Sequence, residues 1–274
     1  MTAEDTPFAV DITRKENWDY TREDFQRLID FEPGGCFVAF DEEERVAMLT
    51  TTSYGSLGWI GNVVVKSDRR GEGIGSKIVR HGVSYLTTKA VDAIGLYSYS
   101  DSVDFYERIG FRQSYRVTQF SGPAKVSENR GTRNATDDIL PRIERMDKDY
   151  FGADRSRILR RMIIDFPDLF FYAEEGVLLG YIVGFCSPKA CEIGPWVCNP
   201  DRADLAENLL VDCLSVLENP DSRVAVPNEN KRAFEIVRGQ GFYQDFEVVA
   251  MFYGSSRHRM KQDAIFGVGA LEKG

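Results

Sequence analysis

A strand-to-helix junction constrains the fold of this chain more than any other feature of the sequence. The apolar segment at residues 59–65 (WIGNVVV) is followed by Arg-Gly-Glu-Gly-Ile-Gly at residues 70–75. After this loop, apolar side chains recur at helical spacing in two stripes: Ile74, Ile78 and Tyr85, then Val79, Val83 and Leu86. The pattern predicts a strand, a glycine-rich turn and a well-buried helix.

The glycine-rich loop is suited to holding a phosphate group. N–H groups in the first turn of a helix have no partner within the helix and carry the positive end of its dipole. Glycines let this backbone approach an anion closely, and Arg70 adds charge. No Lys-Ser/Thr pair follows as in a Walker loop, and Ser76 stands where a Rossmann fingerprint counted from Gly71 has its third glycine. A tight turn without a ligand is the alternative for the loop alone.

A second motif follows the predicted helix. Residues 94–99 are apolar and predict a strand, and residues 101–109 predict a short helix with Asp or Ser near its start. This helix contains Tyr106 and stops at Gly110, a glycine in the usual position after a last turn, with Phe111 just beyond. The alternative to a reactive tyrosine here is a half-buried one that packs through its ring.

Together, the two motifs resemble those of a known family. The order Arg70-x-x-Gly73-x-Gly75 resembles the coenzyme A pyrophosphate loop of the GNAT N-acetyltransferase superfamily. The segment from Tyr106 to Gly110 resembles the late helix of that family. The resemblance implies an α/β (α+β) fold with a mixed, mostly antiparallel sheet flanked by helices. It also implies direct transfer of an acetyl group from acetyl-CoA to a primary amine of a small molecule or peptide, without a metal.

The resemblance further implies roles for individual residues. The strand at residues 62–65 would separate from its neighbour and pair with the pantetheine arm of the coenzyme, and an N–H near Val63 would polarise the thioester carbonyl. Tyr106 would be the catalytic acid that protonates the leaving thiolate. The implied coenzyme-binding residues come from the strand, the loop and the later helix: Val63, Val64, Val65, Arg70, Gly71, Glu72, Gly73, Ile74, Gly75, Ser76, Ser102 and Tyr106.

A general base is missing from the position where many relatives carry one. Those relatives have a glutamate on the strand before the phosphate loop, whereas this chain has Gly61 and Asn62 there. An attacking ammonium group must nevertheless lose a proton. The candidates left open are a water chain, a carboxylate from the second half of the chain, Asp101 and Asp104. We interpret His81 as a packed helix residue and His258 as a solvated residue of the tail.

The second half of the chain repeats the first weakly and in the same order. Gly-Phe at residues 110–111 recurs at 241–242, and Ile-Gly at 60–61 recurs at 193–194. The repeat predicts two GNAT-like domains joined by a linker rich in turn formers, with domain 1 at residues 1–121, the linker at 121–125 and domain 2 at 130–274.

The second copy lacks the residues that carry the chemistry in the first. The equivalents of Gly73, Gly75 and Tyr106 are Leu205, Glu207 and Val237, and the equivalent of Arg70 is Arg202, interpreted as a surface residue. Only domain 1, residues 1–121, is therefore expected to bind acetyl-CoA and act as the catalytic domain. Domain 2 is expected to complete the acceptor pocket or to form a homodimer. The first candidates for the pocket are Trp196 and residues 228–230, with core packing and helix capping as the alternatives.

Periodicity and turn residues predict the individual elements. Strands are predicted at residues 8–14, 36–41, 45–54, 58–66, 93–99, 111–120, 131–134, 169–174, 177–187, 191–198, 222–226, 242–253 and near 264–266. Helices are predicted at residues 18–31, 73–90, 101–109, 136–149, 153–165, 202–218 and 229–239.

Composition excludes several classes of protein. The hydrophobic fraction of 43% argues against disorder, and the net charge of −9 argues against non-specific nucleic-acid binding. The charge also disfavours a tRNA-dependent aminoacyl transferase, which is one alternative function. The five cysteines form no Cys-x-x-Cys pair and are expected to be reduced and buried.

Targeting signals are not predicted either. The first residues have no basic segment followed by an apolar run, and no stretch reaches about 18 apolar residues, so we expect a cytoplasmic protein without a membrane anchor. A non-catalytic module that binds acyl-CoA and regulates a partner is the main alternative to an enzyme. The missing base favours this alternative, and the presence of Tyr106 disfavours it.

Overall fold

The computed structural model describes residues 1–123, 130–187, 190–217, 221–254 and 260–274. The helices are α1 (Thr6–Arg14), α2 (Arg22–Phe31), α3 (Ile74–Thr88), α4 (Val103–Ile109), α5 (Leu140–Phe151), α6 (Ser156–Asp165), α7 (Ala203–Ser215) and α8 (Lys231–Gly239). The strands are β1 (Cys36–Asp41), β2 (Glu44–Tyr54), β3 (Leu57–Val65), β4 (Ala93–Tyr99), β5 (Arg112–Pro123), β6 (Arg133–Asn134), β7 (Phe170–Glu175), β8 (Val177–Cys186), β9 (Cys191–Cys198), β10 (Asp221–Pro227), β11 (Tyr243–Gly254) and β12 (Ile265–Gly267).

Most predicted elements are confirmed, but the strand predicted at residues 8–14 is wrong. This segment is helix α1, with a proline in its first turn, where the missing N–H costs nothing. Ala9, Ile12 and Thr13 are buried, and this spacing fits one face of a helix rather than alternate positions of a strand. The predicted linker is also partly wrong, because residues 121–123 end strand β5. Its residues 124 and 125 lie outside the described part of the chain.

The chain folds into two compact units, neither of which is continuous in sequence. Unit 1 consists of Met1–Gln113, residues 251–254 and Glu272–Gly274, and unit 2 consists of the described residues within 114–250 and 260–271. This division differs from a single boundary between residues 121 and 130. The difference arises because β5 pairs with β10 in unit 2, whereas the end of β11 lies beside β4 in unit 1.

In unit 1, helices cover both faces of a mixed sheet. Its strands follow the order β1-β2-β3-β4, then residues 251–254; β1, β2 and β3 are antiparallel neighbours, and β4 is parallel to β3. Helix α3 packs closely on one face, since a Cβ at Gly82 would lie 2.9 Å from Leu49. Helices α1 and α2 cover the other face, where Phe25 and Leu28 pack with Met48.

Unit 2 has the same kind of sheet. Its strands follow the order β5-β10-β9-β8-β7-β6, the first part of β11 lies beside β5, and β12 pairs with β9. Only the β9–β10 pair is parallel among the ladders of this unit for which the register is known. The predicted fold class, two domains each with a mixed, mostly antiparallel sheet flanked by helices, is thus confirmed. None of the described helices is long and apolar enough to cross a membrane.

The expectation of five reduced cysteines is wrong for two of them. Cys186 and Cys191 form a disulfide, with their Cα atoms 4.0 Å apart. The two residues face each other where β8 pairs with β9, so the hairpin brings the thiols together. Cys36, Cys198 and Cys213 are free and buried, as predicted.

A buried polar cluster ties two helices of unit 2 to its sheet. The Arg155 guanidinium binds both carboxylate oxygens of Asp147, at 2.6 and 3.1 Å, and the Tyr181 hydroxyl donates to the same carboxylate. Burial raises the pKa of Tyr181, which therefore remains a donor. The Arg155 guanidinium also lies 3.7 Å from the centre of the Phe151 ring. The side chains of Asp147 and Arg155 are at most 3% exposed, so this is a buried ion pair.

Replacing Asp147 by alanine should therefore destabilise the fold strongly. We expect Asp147→Ala to lower the free energy of unfolding by about 3–5 kcal/mol, because it removes the buried carboxylate that both Arg155 and Tyr181 bind. Arg160→Ala is a matched control, since it breaks the exposed pair between Arg160 and Glu144 on the same two helices. It should cost less than about 1 kcal/mol. Urea unfolding measures both values, and similar losses for the two variants would contradict the assignment.

Candidate active site

The glycine-rich loop has an open surface above its backbone. Gly71 and Gly73 adopt φ angles of +88° and +80°, in the left-handed region that favours glycine. A Cβ built on either residue would meet no atom within 4 Å. Gly75 differs, because its Cβ would lie 3.4 Å from Phe105 of α4. Glycine at 71 and 73 is thus required by the backbone, and the loop leaves space for a ligand.

Donor groups line this space. Helix α3 begins at Ile74, directly after Gly73, and the Lys77 N–H is bonded to the Gly73 carbonyl at 3.1 Å. The N–H groups of Ile74, Gly75 and Ser76 precede that bond and have no carbonyl one turn back within the helix. With the positive end of the α3 dipole, these N–H groups give the loop the chemistry that suits an anion.

Two arginines flank the loop and have different partners. The Arg69 guanidinium binds the carboxylates of Glu72 and Asp41. The negative charge of Glu72, the acidic residue of the loop, is therefore balanced by Arg69. The Arg70 Nε donates to the Val65 carbonyl at 3.1 Å, and its guanidinium also contacts Glu16. The side chain of Arg70 is half exposed beside the loop. Glu72, named as a coenzyme-binding residue, therefore offers only its backbone N–H to an anion, because its carboxylate belongs to Arg69.

Strand β3 separates from β4 beside the loop. The parallel ladder joins residues 57–59 to residues 93–95, but β3 continues to Val65 and β4 to Tyr99. Beyond the ladder, β3 contains a bulge, because the β2 register shifts by one residue between residues 48 and 50. Asn62 sits in this bulge at φ +51°, and its side-chain amide donates to the Thr50 hydroxyl at 3.3 Å. An edge of β3 is thereby freed from β4 at Val63, Val64 and Val65, the strand residues expected to bind the coenzyme.

Tyr106 lies on the buried side of α4. Its ring packs edge-on against Phe105 and Phe111, with centroids 4.9 and 5.9 Å away, and the residue is 8% exposed. Burial raises the pKa of Tyr106 above its usual range. Tyr106 is therefore a neutral phenol that can donate a proton at physiological pH.

The other sequence-predicted candidates lie in different positions. Ser102 is the half-buried residue directly before α4, and Asp101 and Asp104 are exposed near the start of this helix. His81 is exposed on α3 and packs edge-on against Phe37 at 4.5 Å, so it is less buried than predicted. His258 lies outside the described residues. Within the part of the chain that is described, no cluster of side chains suited to a metal ion is found.

Unit 2 fills the equivalent loop with side chains. Arg202, directly before α7, is bound to the carboxylates of Glu175 and Asp204. Leu205 packs against the core, and Val237 is fully buried at the position equivalent to Tyr106. These contacts agree with the prediction that the second copy lacks the chemistry of the first.

The residues predicted to line an acceptor pocket have structural roles. Trp196 is fully buried in the core of unit 2, where it packs against Phe266. Asn230 caps α8 through the Ala233 N–H, and Asn228 binds Thr118 and Glu247. Trp196 is therefore excluded as a lining residue, and the alternative interpretations, core packing and helix capping, are correct.

The sequence did not indicate that the last residues of the chain contribute to unit 1. A Cβ on Gly61 would lie 2.5 Å from the Glu272 carbonyl oxygen, so the segment Glu272–Gly274 lies against β3. The Tyr54 hydroxyl donates to the Lys273 carbonyl at 2.7 Å, which fixes this segment on the sheet. The only signal in the sequence is the glycine on a buried strand, because glycine there often marks the close approach of another backbone.

The fold and the site define a class of protein. Two units with mixed sheets, a glycine loop at the start of a buried helix and a separated pair of strands are the architecture of an acyltransferase. Residues 6–111 match the acetyltransferase (GNAT) family model, and residues 143–267 match an acetyltransferase (GNAT) domain model. The chain belongs to the GNAT acetyltransferase family, with a GNAT domain in each half.

The chain is similar to solved structures and to a curated protein. A protein from Pyrococcus horikoshii that is assigned as an acetyltransferase is 26% identical, with a TM-score of 0.84 over 100% of this chain and 94% of that one. A tandem GNAT protein from the clavulanic acid biosynthesis pathway shares the fold, with a TM-score of 0.61 at 14% identity over 86% of this chain and 89% of that one. The holothin acyltransferase of a Pseudoalteromonas strain is 22% identical over 53% of this chain, and the match spans about half (49%) of that protein.

Tyr106, which is 8% exposed, should ionise at unusually high pH. Because burial disfavours the phenolate, Tyr106 should stay protonated beyond the ordinary tyrosine pKa of about 10. The measurement is an alkaline ultraviolet difference titration of the wild type against Tyr106→Phe. A tyrosine signal that is lost in the variant and titrates at or below the ordinary pKa would contradict the raised pKa of Tyr106.

Proposed function

We propose that the chain is an N-acetyltransferase that moves an acetyl group from acetyl-CoA to the primary amine of a small molecule or peptide, with unit 1 as the catalytic unit. The observation that carries the proposal is the combination of an open glycine loop at the start of α3, a free edge of β3 and Tyr106, whose pKa is raised by burial. The family match makes acyl transfer the first reaction to test.

The residues of unit 1 fit the coenzyme. No atom lies within 4 Å of a Cβ built on Gly71 or Gly73, so a diphosphate could approach this loop, and the N–H groups of the first turn of α3 would be its donors. Arg70 is adjacent, and the charge of Glu72 is balanced by Arg69. The backbone of residues 63–65 would pair with the amides of the pantetheine arm, as an added strand pairs with a sheet edge.

The protein's own groups would then carry out two tasks. Acetyl-CoA, when bound, supplies the acetyl group as an activated thioester. The Val63 N–H would donate to the carbonyl oxygen as negative charge develops there. Tyr106 would give its proton to the departing sulfur, since its raised pKa keeps it protonated until that moment. Unit 2 would bind no coenzyme, because side chains fill its loop.

Turnover with an amine panel tests this function. Release of free thiol from acetyl-CoA is measured with amino acids, polyamines, amino sugars, peptides with free N-termini and holothin, the compound that appears in the name of the Pseudoalteromonas relative. We expect at least one amine to be acetylated. Tyr106→Phe should lower kcat by about 10²–10⁴-fold with little change in coenzyme affinity, the usual size of a general-acid effect. Tyr253→Phe, which removes another hydroxyl near Phe111, is the control and should keep full activity.

The outcomes of this experiment separate the candidate functions. Coenzyme binding without acetylation of any amine would reject the enzyme and favour a regulatory module that binds acyl-CoA. Equal activity of the wild type and Tyr106→Phe would assign Tyr106 a purely structural role.

A charge placed in the loop should abolish coenzyme binding. Gly73→Glu puts a carboxylate where the diphosphate would lie and should weaken coenzyme A by at least about 100-fold, through repulsion of several kcal/mol. Gly55→Glu is the matched control, because Gly55 has a similar φ of +72° and an equally open surface but lies at the β2–β3 turn. Calorimetry should give one site per chain in the wild type. Two equivalent sites, or unchanged affinity in Gly73→Glu, would contradict the assignment.

A further inference from the structure

The segment at Glu272 occupies a defined place on β3. A Cβ built on Gly61 would lie 2.7 Å from both the Cα and the Cβ of Glu272. The side chain of Glu272 therefore begins almost where a side chain of residue 61 would begin. The residue is 8% exposed, and its carboxylate is 7% exposed. The chain thus places a buried acid at a strand position that has no side chain of its own.

Glu272 lies on the face of the sheet that α3 does not cover. The neighbouring residue Ile60 points to α3, since a Cβ at Gly82 would lie 3.6 Å from it. A Cβ on Gly61 therefore points to the opposite face of the sheet, because side chains alternate along a strand. It pairs with Thr50, the residue that accepts the side-chain hydrogen bond of Asn62 in the bulge. Glu272 thus lies beside the start of the freed segment of β3.

The carboxylate of Glu272 already holds an ammonium group. Its Oε1 contacts the Nζ of Lys273, and this lysine side chain is 13% exposed. A substrate ammonium has the same charge and the same three donors, so it can take the place of Lys273. The other carboxylates considered as bases, Asp101 and Asp104, are exposed to solvent, which supports Glu272 over both.

The distances along β3 are compatible with proton transfer. Val63, whose N–H would hold the acetyl carbonyl oxygen, is two residues beyond Gly61, so the two Cα atoms are at most about 7 Å apart even if the chain were fully extended there. An amine attacking that carbonyl carbon would lie between the two positions. A glutamate side chain, directly or through one water, spans such a gap.

We propose that Glu272 is the general base of the acetyl transfer, a role that rests on the proposed function. One N–H bond of the acceptor ammonium breaks, and the proton passes to the Glu272 carboxylate. The freed electron pair forms the N–C bond, and the C–S bond breaks with its electrons going to sulfur, which takes the proton of Tyr106. The second proton lost by the nitrogen restores Tyr106, and Glu272 releases its proton to solvent.

The pH dependence of turnover in Glu272→Gln tests this role. With the amine that the wild type acetylates fastest, the variant should be about 100-fold slower at neutral pH. The difference in turnover between the variant and the wild type should shrink as the pH rises toward the pKa of the amine, which is near 10 for an alkylammonium, because the amine then arrives already deprotonated. Asp92→Asn, which removes an exposed carboxylate of unit 1, is the control and should match the wild type. A deficit of equal size at every pH would indicate a structural role and overturn the proposal.

A transplanted carboxylate provides a second test. Deleting residues 272–274 should remove the activity at neutral pH. Adding Gly61→Glu to this deletion should raise turnover at least about 10-fold above that of the deletion variant, because the new side chain starts where that of Glu272 did. Calorimetry should give wild-type coenzyme affinity in Glu272→Gln. No rescue in a chain that still binds coenzyme A would count against the base.

Failure of this inference is distinct from failure of the proposed function. A wild type that acetylates no amine contradicts both. An active wild type with unchanged turnover in Glu272→Gln contradicts only the role of Glu272.

Discussion

Hydrogen bonding between β3 and β4 ends after three residue pairs, and the candidate site of unit 1 depends on this separation. Paired strands would leave no backbone groups for a ligand, since each N–H and C=O would already have a partner. The bulge at Asn62 turns β3 away and leaves its last residues as a free edge. The glycine loop follows at the end of that edge, and α4 brings Tyr106 to the same unit through the contact of Phe105 with Gly75. One irregularity in a strand thereby organises groups from three elements.

Local patterns were enough to predict much of this arrangement. The glycine loop and the Tyr106 helix are short motifs whose chemistry depends on neighbouring residues, and the strand predicted at residues 93–99 has the bounds of β4. The helix at residues 6–14 was missed, because in a short segment its apolar residues fit two periodicities. The disulfide was missed for another reason: pairing depends on the register of the β8–β9 hairpin, which spacing along the chain does not fix.

Long-range contacts account for the remaining differences. The assignment of β5 to unit 2 and of residues 251–254 to unit 1 depends on which strands pair, and a duplicated sequence offers two similar partners for each strand. Glu272 is the strongest case, because it reaches β3 from the opposite end of the sequence. Its only local trace is Gly61, and a glycine on a strand does not identify the segment that approaches it.

Unit 1 is built from segments far apart in the sequence, and this has a consequence for the order in which the two units fold. Synthesis on a ribosome proceeds from the N-terminus, and domains generally fold as they emerge. Here the first unit needs residues 251–254 beside β4 and residues 272–274 against β3. The nascent chain can form the glycine loop early, but the sheet that supports it stays incomplete until residues 272–274 have been made. Unit 1 therefore begins before unit 2 and is completed after it.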